Sequence, residues 1–467
     1  MNVLLSLLQK STDYNQLLKA VEAKQAVAVS GLSQAPRSHV LAAAHEQSGR
    51  PLIAVCQDDM AAKRLASELG AFLGEEPPVL PSRELTLAGA IGVSRQWEQQ
   101  RLRLLYALAQ GRVPVLVASL DALLLRTLPR QTLFSASVTL RVGAEYSMPE
   151  LIERLTRAGY SRASLVEGVG QFALRGGILD VYSPAQEKPL RAEFFGDELD
   201  TMGYFDPITQ RRTENVDEAV LLPVAETEPH LHPQGISGLC EDLRAIIARQ
   251  QRRKTPNQAL IETLQKDCEA LENETLFASA DRYMALIYPE FTTAASYLPQ
   301  EAIVAFCDHG NLQRGEKDRA EEFGLLLDSF LTSGTLFGEL YDYYATMDDL
   351  AASLRGRAVI YCDSFLAARY PESLPPKQLL SFTARQLPGY GGSLETAAAD
   401  LKNYASNQYG SIVLCGGQRR GEILKELLAK SGLNALLSFP LTKLPQPGQI
   451  LIAGGSLPAG IEYPTLK

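Results

Sequence analysis

The sequence is poor in the residues that announce metal or redox chemistry. It has six cysteines and five histidines in 467 residues. Cys56, Cys240, Cys268, Cys307, Cys362 and Cys415 are dispersed with no C-x-x-C pair, so neither a disulfide framework nor a zinc site is indicated. His230 and His232 flank Leu231 in a proline-rich stretch, but no third or fourth ligand is in view, and no metal is expected. Long apolar runs are missing too. None approaches the ~18 residues of a membrane-crossing helix. A basic excess is also lacking: the net charge is −9, whereas a protein that mainly grips phosphates usually carries surplus lysine and arginine. This balance favours a protein partner over nucleic acid. The opening MNVLLSLLQKSTDYNQLLKAV has neither a basic n-region nor a small-residue cleavage site and reads on into an amphipathic helix, so a cytoplasmic protein is expected.

What is present describes an ordinary globular chain. It is 46% apolar and 21% charged, within the usual range for packed domains. At roughly 150 residues per domain, its length suggests about three. From 1 to 145 short apolar runs alternate with helical patterns: QAVAVS, PLIAVC and VPVLVAS against Ala61–Gly74, RQWEQQRLRLLYAL and LDALLLRTL. Apolar strands separated by helices predict a parallel sheet covered on both faces. From 146 to 225 the rhythm changes. One helix, MPELIERLTRAGY, precedes ASLVE, GQFALRG, GILDVYS, PLRAEFFG and ELDTMGYFD, short strands joined by Gly, Pro and Asp turns. Helices dominate 226–350 around one apolar strand, AIVAFC. A small α/β unit of unknown role is expected over 351–467, opening with RAVIYC. The end, EYPTLK, has no cap or polar tail and suggests a piece of something longer.

The first strand runs into VAVSGLSQAPRSHVLAAA, where a phosphate-binding loop would sit. That loop wants G-x-x-x-x-G-K-[S/T]. Here the positions are Gly31, Pro36, Arg37 and Ser38. The spacing survives and the chemistry does not. The second glycine lets backbone N–H groups crowd around phosphate, and Pro36 has no N–H and a fixed φ. Arg37 is bulkier than the compact lysine it would replace. Hydrolysis also needs acids after a buried strand to hold magnesium and orient water. AIVAFC ends at Cys307 and runs into Asp308-His309, with no Asp-Glu pair. A silent nucleotide site is expected, with no catalytic residue and no cofactor in this segment.

One stretch carries a family resemblance. The blocks Gly159-Tyr160, Val166-Glu167, Gly170-Gln171-Phe172, Arg175-Gly176-Gly177-Ile178-Leu179-Asp180, Arg191-x-Glu193-Phe194-Phe195-Gly196-Asp197-Glu198, Phe205-Asp206 and Gln210-Arg211 follow one another in the order of the domain shared by UvrB and Mfd. Weaker similarity covers the flanks. UvrB differs in having an intact phosphate loop and a long aromatic hairpin. Here 80–96, LPSRELTLAGAIGVSRQ, is too short for that hairpin and contains no aromatic. The chain therefore resembles the UvrB-like module of the Mfd family followed by that family's third domain.

The resemblance implies a degenerate RecA-like domain, split by an inserted, mostly antiparallel α+β domain and followed by a second small α/β domain. It also implies that the inserted domain binds UvrA, through residues matching Arg175, Arg191 and Phe195. Strand alternation agrees: in LRAEFF, Leu190, Ala192 and Phe194 share one face, which leaves Arg191, Glu193 and Phe195 on the other. An exposed aromatic beside arginines suits a protein–protein hot spot. ATP, magnesium, RNA polymerase and double-stranded DNA would engage parts of the parent protein beyond this segment, in a translocase motor and a polymerase-binding domain. The alternative is an active ATPase of UvrB type that loads on damaged DNA.

Overall fold

The computed structural model describes residues 3–88, 96–273, 279–338, 340–367, 369–390 and 393–466. Its centre is a seven-stranded, wholly parallel sheet. In spatial order the strands are Gln378–Ser381, Ala26–Ser30, Ala358–Cys362, Ile303–Cys307, Leu52–Cys56, Val115–Ser119 and Val79–Leu80. The five inner strands are buried at every position but carry few side chains larger than leucine. Strands covered on both faces read as unbroken apolar runs for this reason. One face packs a core containing Leu102, Leu105, Leu123 and Phe306. The other packs Leu17, Val40, Leu41, Leu65 and Leu69 from the helices Thr12–Glu22, Gln34–Ser48 and Asp59–Leu73.

A division at 350/351 would cut this sheet. Ala358–Cys362 lies between the first strand and Ile303–Cys307, and Gln378–Ser381 forms the edge beyond the first strand. An apolar run of five residues announces burial on two faces but not which neighbours supply it, so RAVIYC taken alone fits the start of a new unit as well as an inner strand. The separate third unit begins after the edge strand. It comprises the parallel strands Ser411–Cys415, Ile450–Gly454 and Ala435–Ser438, with the helices Leu394–Ser406 and Gln418–Lys430.

A second sheet stands apart, of six strands in the order Arg212–Asn215, Glu198–Phe205, Leu190–Phe195, Ile178–Val181, Gln171–Arg175 and Ser161–Arg162. All neighbours are antiparallel except the last two. The ladder between Val138–Arg141 and Glu218–Leu221 closes its base. The helix Met148–Arg157 covers one face, where Leu151 and Leu155 meet Phe172, Leu179, Leu190 and Ala192. ASLVE, expected as a strand, is a loop instead. Its Val166 folds over part of the opposite face onto Ala173 and Phe205, so local burial replaces ladder pairing. Of the short stretch 80–96, residues 89–95 lie outside the described set.

Buried charge ties the chain that leaves the strand Glu218–Leu221 to helices and loops around the first sheet. Arg101 and Glu226, both wholly buried, form a two-pronged pair at 2.9 and 3.1 Å. Thr127 donates to the same carboxylate at 2.5 Å. Arg83 lies alongside and pairs with Asp281 at 2.8 Å. Despite the cost of its burial, Glu226 stays below the usual carboxylate range, held there by Arg101 and Arg83.

Candidate docking face

Two hairpins end side by side on the second sheet. Arg175 pairs with Ile178 across the turn Gly176–Gly177, and Phe195 pairs with Glu198 across Gly196–Asp197. The turns touch, for Phe194 N–H donates to Gly177 C=O at 2.7 Å. Any side chain at 177 would collide with the Phe194 carbonyl, its Cβ only 2.7 Å away. The bare backbone therefore lets the strand that carries Phe195 come close. The alternation of LRAEFF holds: Leu190 and Ala192 are buried in the core, Phe194 sits edge-on to Tyr146, and Phe195 points out at 83% exposure. That exposure excludes a core role for Phe195. Ile178, part-exposed at the neighbouring tip, adds apolar surface that no motif in the sequence marks.

The two arginines are not equivalent. Arg175 is half-exposed and spends one nitrogen, Nη2, on Asp180 at 2.7 Å. Arg191 was expected to offer its donors outward, yet most of its side chain is covered. Its Nε and Nη2 donate to the Asp180 carboxylate at 2.7 and 2.8 Å, and Nη1 and Nη2 donate to Gln210 at 3.2 and 3.1 Å. Its guanidinium lies over the Phe205 ring, 4.5 Å from the centroid. Asp180 itself is buried. Its place in the block Arg175-Gly176-Gly177-Ile178-Leu179-Asp180 does not by itself reveal its role. The available signal was an acid at an alternating position of ILDV, pointing to the same face as Arg175 and Arg191. Glu193, also on this face, is part-exposed and pairs with Arg212 at 3.6 Å.

The loop at Gly31 is filled by the chain itself. Gly31 N–H donates to Ser364 C=O at 3.2 Å and Leu32 N–H to Asp363 C=O at 3.4 Å. Ala35 N–H, at the start of the helix Gln34–Ser48, donates to Gln386 Oε1 at 3.2 Å. These are backbone groups that a phosphate would need. The Phe382 carbonyl oxygen lies 2.0 Å from where a Cβ on Gly31 would be, so this glycine admits the backbone that follows the edge strand Gln378–Ser381. Pro36 occupies the first helical turn, where its missing N–H costs nothing. The Ser38 hydroxyl lies 2.5 Å from Glu68 Oε2 and 3.1 Å from Gln34 C=O, and can donate to one of them at a time. Arg37 is buried and pairs with Asp308 at 2.8 Å, so the acid after AIVAFC is held by a cation of the chain. Asp363, one strand over, is buried. Burial pushes its carboxyl up to about 6.

The cysteines, dispersed in sequence, are less so in space. Cys56, Cys307 and Cys362 end three adjacent strands. Cys240 and Cys268 meet across the helices Gly235–Gln251 and Gln258–Glu272, and with Glu272 they offer ligand atoms within 4.8 Å of one another. Glu272 is already engaged by Arg244.

Residues 138–226 match the family model of the UvrB interaction domain. Over 472 residues the chain is 26% identical to a transcription-repair-coupling factor of Staphylococcus aureus strain USA300, an alignment spanning 99% of this chain and 39% of that protein. Over 468 residues it is 23% identical to the transcription-repair-coupling factor of Bacillus subtilis strain 168, spanning 98% of this chain and again 39% of the relative. The chain thus covers about two fifths of the length of these curated relatives.

Proposed function

We propose that this chain, which corresponds to an N-terminal region of the transcription-repair coupling factors, is a docking module that recruits UvrA to a stalled transcription complex. The observation that carries the reading is Phe195, an aromatic almost fully exposed at a hairpin tip beside Arg175. A phenylalanine held in water has no packing reason to be there, and aromatics flanked by arginine are typical of interface centres. Its position inside the stretch that matches the UvrB interaction domain supports UvrA as the partner. The acidic balance of −9 favours a protein partner over DNA for this segment.

The module acts by binding and does no covalent chemistry of its own. The filled loop at Gly31 and the pairing of Asp308 with Arg37 argue against an active ATPase of UvrB type. ATP hydrolysis on magnesium, DNA translocation and RNA polymerase contact fall to other parts of the full-length protein, in the cytoplasm. No helix among the described residues is long and apolar enough to cross a membrane.

The test is a UvrA pull-down with thermal melting alongside. Phe195→Ala is expected to weaken binding by about 30-fold, the equivalent of ~2 kcal/mol at a central interface residue. Retained binding in a well-folded Phe195→Ala protein would place the docking site elsewhere.

A further inference from the structure

We propose that Asp180 is the positioning residue of the docking face, holding Arg175 in its outward pose beside Phe195, with Arg191 as the counter-charge that allows the carboxylate to be buried there. This rests on the docking reading above and adds the residue that sets its geometry.

Four contacts carry the inference. Asp180 receives three charge-assisted hydrogen bonds of 2.7–2.8 Å, one from Arg175 and two from Arg191. Two-pronged pairs of the Arg191 kind are both strong and geometrically specific. Arg191 is then pinned from the far side by Gln210 and lies on the Phe205 ring. Its remaining donor capacity is small and its side chain is mostly covered. Arg175 is the reverse: one nitrogen faces Asp180 while half the side chain stays in solvent. Of the two arginines, only Arg175 has several donors left for a partner's carboxylate. Arg191 serves the partner indirectly, by fixing Asp180.

A long arginine side chain loses rotamer freedom when it is ordered at an interface, and pre-ordering removes that loss from the binding step. Asp180 also opposes binding, because it draws on the charge of Arg175. The first effect wins here. Asp180 uses a single Arg175 nitrogen, so releasing it adds little donor capacity, whereas losing the anchor frees the whole side chain. An asparagine at 180 would also turn an N–H group toward the guanidinium.

The experiment is a double-mutant cycle read as affinity for purified UvrA, using Asp180→Asn, Arg175→Ala, the double variant and Phe195→Ala. Asp180→Asn is expected to weaken binding about 10-fold, or ~1.4 kcal/mol. The double variant should bind no more weakly than Arg175→Ala alone, because Asp180 acts through Arg175. A residue that only supported the fold would add its loss to that of Arg175→Ala. Should Asp180→Asn fold poorly, Asp180→Leu with Arg191→Met replaces the buried ion pair by apolar side chains, a change that commonly preserves the fold. The same non-additivity with Arg175→Ala is expected of it. Binding within twofold of wild type in Asp180→Asn, or losses that multiply in the cycle, would overturn the proposal. If Phe195→Ala binds UvrA like the wild type, the docking reading itself fails. If Phe195→Ala loses binding while Asp180→Asn keeps it, only the role of Asp180 falls.

Discussion

Phe195 and Arg191 sit two positions apart on one strand, yet their truncation has different consequences. Phe195 touches solvent over most of its surface, so Phe195→Ala is expected to change stability by no more than ~0.5 kcal/mol. Arg191 supplies two of the three donors to a buried carboxylate. Arg191→Ala therefore leaves Asp180 under-satisfied, at a cost of roughly 1–3 kcal/mol. Arg175 keeps the loss from being larger. The pair of substitutions, harmless to the fold if both side chains were free, is destabilising because one of them is not. Denaturant unfolding of the two single variants checks this: equal midpoints would refute the assignment of Arg191 to the interior network.

At the scale of the element, the helix Gln34–Ser48 begins where a phosphate-binding helix would, but its first turn is occupied by other parts of the chain. Two changes in the sequence damage the loop, and neither is the main obstacle. Pro36→Gly with Arg37→Lys would recover the missing residue types, yet Gln386 would still hold Ala35 N–H and Phe382 would still press on Gly31. Calorimetry is expected to detect no ATP binding to the wild type, and none to the doubly reverted protein. Micromolar affinity in either would show that the segment around 382–386 moves aside. The double change also replaces the arginine that pairs with Asp308 by a lysine of different reach and puts a glycine in the helix, so the reverted protein should melt earlier than the wild type.

For the whole molecule, buried polar groups join segments far apart in sequence. Glu226 is held by Arg101 and Thr127, 125 and 99 residues away. Removing one partner of a buried ion pair leaves an uncompensated charge, and Glu226→Ala is expected to cost about 3–5 kcal/mol in thermal or denaturant unfolding. His39 ties the two ends of the chain together. Its Nε2 lies 3.0 Å from Leu4 C=O and its Nδ1 2.8 Å from the Tyr463 hydroxyl. Burial pushes His39 and His309 down to about 4, so both are neutral in the fold and protonate more readily when unfolded. Their contribution is complete above the ordinary histidine value of ~6.5 and is lost as pH falls toward 4. Asp363, pushed up to about 6, works the other way: its contribution is present at low pH and lost as pH rises through that value. With two groups against one, the melting temperature should fall between pH 6.5 and 4, and His39→Gln should flatten that fall. An unchanged slope in His39→Gln would remove His39 from the explanation.

Most classes of element, and their order, were legible in the residue pattern, with ASLVE the exception, a loop where a strand was expected. Unbroken apolar runs such as AVAVS and LIAVC predict strands covered on both faces, because each alternate side chain meets a different core. The alternation in LRAEFF predicted which side of its sheet faces water, because side-chain direction in a strand has a period of two. The damaged phosphate loop was equally plain, since its chemistry depends on residue types at fixed spacing. How the strands group is set by long-range packing. RAVIYC joins the middle of a sheet begun more than 300 residues earlier, and strand pairing depends on neighbours that a local pattern does not name. Tertiary structure also separated the two arginines. Both are charged, both are on the outer face, and both stand in recognisable blocks. Asp180 takes two bonds from one and a single bond from the other, and that difference in geometry leaves Arg175 facing a partner and Arg191 facing the protein.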